Sequence, residues 1–125
     1  MVKNRLGKIY QDGDVIFGEG EKGETMYVIL SGAVEVVRAN EGQEMRISEL
    51  KQGDIFGEMA LFEKSPRSAT VRALGEARIL TVDKRTFFSR VHEDPSLAFN
   101  ILKKMSQRIS RLNNMLTGSG AGARH

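Results

Sequence analysis

The sequence has no cysteine and only two histidines, and these absences exclude several kinds of functional site. Without cysteine, neither a disulfide framework nor a thiolate metal site can form. A small β-barrel metalloenzyme would need clustered histidine and carboxylate ligands. His92 lies in a helical stretch and His125 is the last residue, so the sequence does not favour a metal centre.

Long apolar runs are also missing, and this bears on where the protein works. No stretch approaches the roughly 20 apolar residues of a membrane span. The basic N-terminus lacks the apolar stretch of a signal peptide, so we expect a soluble cytoplasmic protein with no membrane partner. The net charge of +3 comes from scattered basic residues. One cluster of basic residues predicts a solvated helix face, with a nucleic-acid contact as the alternative. This cluster comprises Lys103, Lys104, Arg108 and Arg111.

Short apolar runs separated by glycine fill residues 8–83 of this 125-residue chain, which is long enough for one domain. Met26–Leu30 and Ala33–Val37 flank Ser31-Gly32, which predicts a two-residue hairpin. The other predicted strands are Val15–Phe17, Met45–Leu50, Ala69–Leu74 and Ala77–Val82, the last two separated by Gly75-Glu76. This pattern predicts a small antiparallel sandwich or barrel.

After Asp83 the apolar spacing lengthens and predicts two helices. Lys84–Val91 can form a short one, and Asp94-Pro95 reads as an N-cap followed by proline at the first helical position. The second helix carries apolar residues at spacings of 3 and 4, namely Leu102, Met105, Ile109, Leu112 and Leu116. This spacing is typical of a coiled-coil seam and predicts a homodimer. The alternative is a stripe that packs on the protein's own sheet. Residues 117–125 are predicted to be a flexible tail.

The segment Phe56–Val71 reads FGEMALFEKSPRSATV and predicts a loop that encloses about one helical turn. Gly57 lets the backbone approach a ligand, and the N–H groups that follow favour a phosphate. Arg67 offers a planar fork that can hold two phosphate oxygens, whereas Glu58 suits hydroxyl donors such as those of a sugar. The segment therefore predicts a site for a nucleotide or a sugar phosphate. The alternative is that Glu58 and Arg67 pair with each other across the loop.

The same segment resembles the phosphate-binding cassette of the cyclic nucleotide-binding domain family. The family pattern is Phe-Gly-Glu-(Leu or Met)-Ala-Leu, a short spacer, Pro-Arg, a small residue, Ala and Thr-Val, and every fixed position is matched. Gly23–Gly32 is similar to the family's glycine-acid turn and following strand. The helical end resembles the bacterial catabolite-activator (Crp/Fnr-like) branch, so the likeness covers about residues 6–116.

The resemblance implies a fold that is mainly β with C-terminal helices. Residues 8–83 would form an antiparallel β-roll, also called a jelly-roll or double-stranded β-helix, with a short cassette helix. Residues 84–116 would form the helical part of the same domain and end in a long C-terminal helix. Transcription factors of this branch continue into a helix-turn-helix domain, and we expect none here. The protein would then sense a ligand without reading nucleic acid directly, either as a stand-alone module that acts through a partner or as a fragment of a longer chain.

The resemblance also implies roles for single residues. Arg67 would hold the exocyclic oxygens of the cyclic phosphate, and Glu58 would accept a hydrogen bond from the ribose 2′-hydroxyl. Glu24 would orient the arginine, with an exposed carboxylate in a turn as the alternative. Ser68 would contact the phosphate or, in cyclic-GMP binders, the guanine amino group. The remaining ligand-binding residues would be Gly57, Met59 and Ala60 at the phosphate, Leu61 and Val71 in the pocket wall, and Leu112 and Asn113 near the base.

The base-contacting positions depart from the family pattern. The catabolite-activator branch usually carries hydroxyl residues where this chain has Leu112 and Asn113. This departure weakens any inference about base preference but leaves the sugar and phosphate contacts unaffected. The bacterial context favours cyclic AMP as the ligand, with cyclic GMP second.

Two functional hypotheses follow. In the first, the protein is a non-catalytic receptor in which cyclic-nucleotide occupancy is relayed by the C-terminal helices to a dimer or to a protein effector. In the second, the domain is a structural dimerisation or interaction module whose nucleotide pocket is vestigial. No cofactor is expected beyond the ligand itself, cyclic AMP or cyclic GMP.

Overall fold

The computed structural model describes residues 7–100, 102–103 and 106–107. In order, these residues form the strands β1 (Lys8–Tyr10), β2 (Val15–Phe17), β3 (Thr25–Asn40), β4 (Gln43–Lys51), β5 (Ile55–Phe56) and β6 (Thr70–Asp83). A 3₁₀ helix, Glu58–Leu61, lies between β5 and β6, and the helix α1 (Lys84–Glu93) follows β6. The chain divides into two compact units, Met1–Phe87 and Phe88–His125. Among the described residues, no helix is long and apolar enough to cross a membrane.

All six strands belong to one antiparallel sheet that is centred on the two longest strands. The order along the sheet is β1-β6-β3-β4, while β2 also pairs with β6 and β5 also pairs with β3. Strands β3 and β6 pair from Thr25↔Asp83 at one end to Val37↔Thr70 at the other. Strand β6 pairs with β1, β2 and β3, and its first residues are paired with both β2 and β3.

The predicted hairpin at Ser31-Gly32 is wrong, because β3 runs without interruption through both residues. The predicted break at Gly75-Glu76 is wrong for the same reason, since β6 is continuous from Thr70 to Asp83. Both glycines have positive φ, +86° at Gly32 and +68° at Gly75, and the β3–β6 register shifts between Ser31 and Ala33. Glycine therefore marks an irregularity within two paired strands, which a sequence pattern does not distinguish from a turn.

The core draws on five of the six strands, β2 to β6. Its buried residues are Phe17, Ile29, Val34, Leu50, Phe56, Val71, Ala73, Ala77 and Ile79. Three aromatic rings are clustered at one end of the core. Tyr27 and Phe56 stack with their centroids 5.1 Å apart, and Phe17 lies 5.6 Å from Tyr27 and 5.9 Å from Phe56. This cluster packs against the start of β6 because Phe17 pairs with Val71.

The predicted helix after Asp83 is confirmed, and its first turn has a side-chain cap. The Thr86 backbone N–H donates to Asp83 Oδ1 at 2.8 Å, and this hydrogen bond lowers the pKa of Asp83. The predicted N-cap at Asp94 is confirmed as well. Its Oδ1 accepts from the Ser96 backbone N–H, and residues 95–100 are helical.

The predicted dimer seam lies mostly outside the described residues. Leu102 is described and is 63% exposed. The other seam positions, Met105, Ile109, Leu112 and Leu116, are outside that range. The seam and the homodimer therefore stay predictions.

A network of ion pairs covers part of the outer face of β3, β4 and β6. Glu35 Oε1 accepts from Arg46 Nη2 at 3.0 Å, and Glu35 Oε2 lies 2.9 Å from Arg72 Nη2. Arg72 also pairs with Glu44 at 2.8 Å. Burial opposes the charged form of Glu35, but the hydrogen bonds from Arg46 and Arg72 outweigh it and lower the pKa of Glu35. Hydrogen bonds to Glu44 and Glu35 raise the pKa of Arg72.

We expect Glu35→Gln to lower the free energy of unfolding by about 1 kcal/mol at neutral pH, the scale of a partly exposed ion-pair network. Because the folded-state pKa of Glu35 is lowered, its contribution is present above the ordinary glutamate pKa and is lost as the pH falls through the lowered value. Urea denaturation of both proteins at about pH 7 and about pH 3 measures the difference. A gap that does not shrink at acid pH would contradict the ion-pair explanation.

Candidate functional site

The predicted loop with one helical turn is confirmed between β5 and β6. Gly57 precedes the 3₁₀ helix with φ +75° and ψ 10°, a left-handed conformation that glycine adopts without strain. The Ala60 N–H donates to the Gly57 carbonyl at 3.2 Å and closes the turn. A side chain at position 57 would also meet Arg67 Nη1, the Tyr27 ring and the Phe17 ring, all within 3.3 Å of its Cβ. Glycine is therefore required here both for the turn and for the close approach of the arginine.

The backbone of Arg67 is held to the loop that follows β2. Its N–H donates to the Glu21 carbonyl at 2.8 Å, and its own carbonyl accepts from the Gly20 N–H at 2.8 Å. This pair of hydrogen bonds fixes the point at which the arginine side chain leaves the chain. The side chain then points inward and is only 8% exposed.

The guanidinium group of Arg67 is oriented by two backbone carbonyls. Nη1 donates to the Gly57 carbonyl at 3.2 Å, and Nη2 donates to the Thr25 carbonyl at 3.0 Å, with Thr25 Oγ1 a further 3.4 Å contact. Nε is buried and has no hydrogen-bond acceptor among the described residues. An arginine has five N–H donors, so these contacts leave donors available for an anion.

Glu58 and Arg67 are the buried charged residues of the described part of the chain, with exposures of 9% and 8%. Acidic and basic side chains are rarely buried unless they are paired or serve a site, because removing a charge from water is costly. The fold thus brings two opposite charges of one short segment out of solvent. This arrangement suits a ligand that carries both an anionic group and a hydroxyl group.

The other predicted site residues divide into buried and exposed groups. Leu61 and Val71 are buried, with exposures of 1% and 2%. Met59 and Ser68 are exposed, while Gly57 and Ala60 are partly exposed. Leu112 and Asn113, predicted near the base, lie outside the described residues.

Glu24, predicted to orient the arginine, is exposed, whereas the adjacent Thr25 contacts the guanidinium. The orienting role of Glu24 stays a prediction. Thr25 acts mainly through its backbone carbonyl. Every residue type has this group, so the identity of the residue does not indicate the contact. Sequence reasoning therefore had no means of finding this contact.

Two aromatic contacts were also missed. The Phe17 ring lies 4.2 Å from the Arg67 guanidinium carbon, and the Tyr27 ring lies 5.6 Å from it. Both distances are within the range of a cation–π interaction. Phe17 is 50 residues from Arg67 in sequence, so only the strand pairing reveals the contact. Within the described residues, no group of three or more histidine, aspartate or glutamate side chains could hold a metal ion.

The Cyclic nucleotide-binding domain family model matches residues 8–94 of this chain. The chain is 31% identical over 105 residues to the CRP-like cAMP-activated global transcriptional regulator of Mycobacterium tuberculosis. That alignment covers 83% of this chain and 47% of the regulator. The chain therefore spans about half the length of the curated relatives of this type.

Solved structures agree with the sequence match. The Thermus thermophilus Catabolite Activator Protein superposes with a TM-score of 0.75 at 28% identity, over 87% of this chain and 52% of that one. The cAMP-bound form of the EAL enzyme Bd1971 gives a TM-score of 0.64 at 32% identity, over 91% of this chain and 30% of the enzyme. The cGMP-bound form of the same enzyme gives 0.65 at 31% identity, over 85% and 28% of the two chains.

These matches confirm the predicted mainly antiparallel β-roll and the predicted family. The match spans the 3₁₀ turn, the buried Glu58 and Arg67, and the long strands that position them. The chain belongs to the cyclic nucleotide-binding domain family, with Crp-like regulators among its relatives.

Proposed function

We propose that this protein is a non-catalytic receptor module that binds cyclic AMP, with cyclic GMP as the second choice. The observation that carries the proposal is the buried Arg67, whose Nε has no acceptor among the described residues while Gly57 and Thr25 orient its Nη groups. In this role Arg67 donates to the exocyclic phosphate oxygens. Glu58, buried nine residues earlier, accepts from the ribose 2′-hydroxyl.

Cyclic AMP is the first choice because the Mycobacterium tuberculosis relative is described as cAMP-activated. Cyclic GMP stays second because Bd1971 is known in forms bound to either nucleotide. The alternative, a dimerisation module with a vestigial pocket, gives no reason to keep Arg67 buried with an Nε that has no acceptor among the described residues. A vestigial site would be expected to lose this arginine, because burial of an incompletely hydrogen-bonded charge costs free energy.

Calorimetric titration of the purified chain with cyclic AMP, cyclic GMP and 5′-AMP tests this function. We expect saturable binding of cyclic AMP, weaker binding of cyclic GMP, and much weaker binding of 5′-AMP. The phosphate of 5′-AMP carries an additional charge and is not closed into the cyclic phosphodiester ring. Stronger binding of cyclic GMP would reverse the base preference. Absence of heat and of any thermal shift with both cyclic nucleotides would favour the vestigial module.

The output of the receptor is the second part of the proposal. The relatives include a transcriptional regulator, of which the alignment covers 47%, and an EAL enzyme, of which it covers 30%. An effector responds to a ligand on such a domain only if the ligand binds two states of the domain with different affinity. We infer that the helices after β6 carry the change between these states to a second copy of the chain or to a protein effector.

A dimer through the predicted seam would provide one such output. Leu112→Glu is expected to shift the protein toward the monomer in sedimentation experiments, because a carboxylate in a narrow apolar seam is unfavourable. Asn114→Glu, on the predicted opposite side of the helix, is the matched control and should leave the association unchanged. A wild-type protein that sediments as a monomer at all concentrations would contradict the seam.

A further inference from the structure

The guanidinium group of Arg67 lies in a slot between Gly23 and Gly57. The aromatic rings of Phe17 and Tyr27 form the floor of this slot. A Cβ added at Gly23 would lie 2.4 Å from Nη2, and one added at Gly57 would lie 3.0 Å from Nη1. The floor is the Phe17 ring, 4.2 Å from the guanidinium carbon, with the Tyr27 ring 5.6 Å away. No larger side chain than glycine fits either side without displacing the arginine.

The position of Phe17 follows from an irregularity in β2. Val15 pairs with Arg72 and Phe17 with Val71, so two steps along β2 correspond to one along β6. Such a bulge redirects a side chain relative to a regular strand. Val15 is 51% exposed, whereas Phe17 is 8% exposed and reaches the slot.

The Phe17 ring supports a face of the Arg67 guanidinium, which the two backbone carbonyls do not. The carbonyls of Gly57 and Thr25 fix the edge of the guanidinium plane, but they leave its faces unsupported. An arginine side chain loses considerable rotamer freedom when it is fixed, so holding it in advance removes part of that cost from ligand binding. A ring stacked on the face also excludes water from that side, which strengthens the interaction with an anion.

We propose that Phe17, supported by Tyr27, is a positioning residue for the ligand-binding arginine. Its ring holds the Arg67 guanidinium in the binding orientation before a cyclic nucleotide arrives. This inference rests on the proposed function, because it assigns a purpose to the slot within the same site. It adds two residues, on β2 and β3, to a site that the sequence placed only in Gly57–Val71, at Glu24 and on the C-terminal helix.

The test replaces Phe17 with 3,4,5-trifluorophenylalanine, which keeps the shape of the ring but weakens its attraction for a cation. The same replacement at Phe56 is the matched control, since Phe56 belongs to the same aromatic cluster and neither of the Arg67 ring contacts involves it. We expect the dissociation constant for cyclic AMP to rise about threefold or more at position 17 and to stay unchanged at position 56. Phe17→Tyr should retain the wild-type affinity.

A ligand-free measurement separates this inference from the proposed function. The Arg67 side-chain proton resonances should be shifted upfield by the Phe17 ring and should lose that shift in Phe17→Leu. If the wild-type protein binds cyclic AMP but fluorination at positions 17 and 56 has equal effects, the positioning role is overturned. If the wild type binds no cyclic nucleotide, the proposed function fails. In that case an upfield shift that depends on Phe17 would still support the contact between the Phe17 ring and the Arg67 guanidinium. Absence of this shift would overturn the positioning role of Phe17.

Discussion

Arg67→Ala is expected to raise the dissociation constant for cyclic AMP at least tenfold. A hydrogen bond to a charged group contributes about 1.5–3 kcal/mol, and the fork of Arg67 would make more than one to the phosphate. The loss should be large because Gly57 and Thr25 already orient the wild-type guanidinium. Little of the binding free energy is therefore lost in ordering the Arg67 side chain. Calorimetric titration of the variant measures the change.

Two further variants make this result specific. Arg67→Lys keeps the positive charge but removes the planar fork, so it should also lose most of the affinity. Arg72→Ala removes another arginine only five residues away, whose side chain pairs with Glu35 and Glu44. We expect Arg72→Ala to reduce stability while leaving the affinity near the wild-type value. Unchanged binding in Arg67→Ala would remove the phosphate role from this residue.

Gly32→Ala is expected to destabilise the fold by about 3 kcal/mol or more. The φ of +86° alone costs a non-glycine residue roughly 1–3 kcal/mol. An added Cβ would also lie 2.4 Å from the Glu76 carbonyl oxygen and 2.8 Å from the Ala77 Cα. Both contacts are with backbone of the paired strand β6, so no flexible side chain can move away. Since single domains have only about 5–15 kcal/mol of stability, this change is severe.

Gly75→Ala provides the matched control for Gly32→Ala. Gly75 also has positive φ, +68°, but a Cβ there would meet nothing within 4 Å. We expect this variant to lose only the cost of the backbone conformation, about 1 kcal/mol. Chemical denaturation of both variants measures the difference. Equal losses would show that the contact with Glu76 and Ala77 is relieved by movement of β6.

The ligand-binding segment was predictable because its determinants are close together in sequence. Gly57, Glu58 and Arg67 lie within eleven residues, and each has a chemical reason to be there that depends little on the rest of the fold. The helical turn, the N-cap at Asp94 and the strands Val15–Phe17 and Met45–Leu50 are confirmed for the same reason. Local propensity and local chemistry agree at these positions.

The two long strands were not predictable in the same way. Gly32 and Gly75 have the composition of turns, but β3 and β6 are paired on both sides of each glycine and this pairing keeps the strands continuous. Whether a glycine with positive φ reverses the chain or only distorts a strand depends on the partner strand. That information is tertiary and is absent from a local pattern.

The surroundings of Arg67 were missed for a related reason. Phe17 reaches the guanidinium through a bulge in β2, and Thr25 reaches it through a carbonyl, so neither contact has a sequence signature. A strand of apolar residues predicts a core position for Phe17, and Phe17 is indeed in the core. Its second role follows only from the position of the arginine that packs on it.

The side-chain N–H resonances of Arg67 test the central claim most directly. In the free protein Nε has no acceptor among the described residues, so a bound phosphate should change its environment strongly. On titration of ¹⁵N-labelled protein with cyclic AMP, we predict a large downfield shift and slower exchange for arginine N–H signals that are absent in Arg67→Lys. Saturation of the protein with cyclic AMP while these signals stay unchanged would contradict the assignment of Arg67 to the cyclic phosphate.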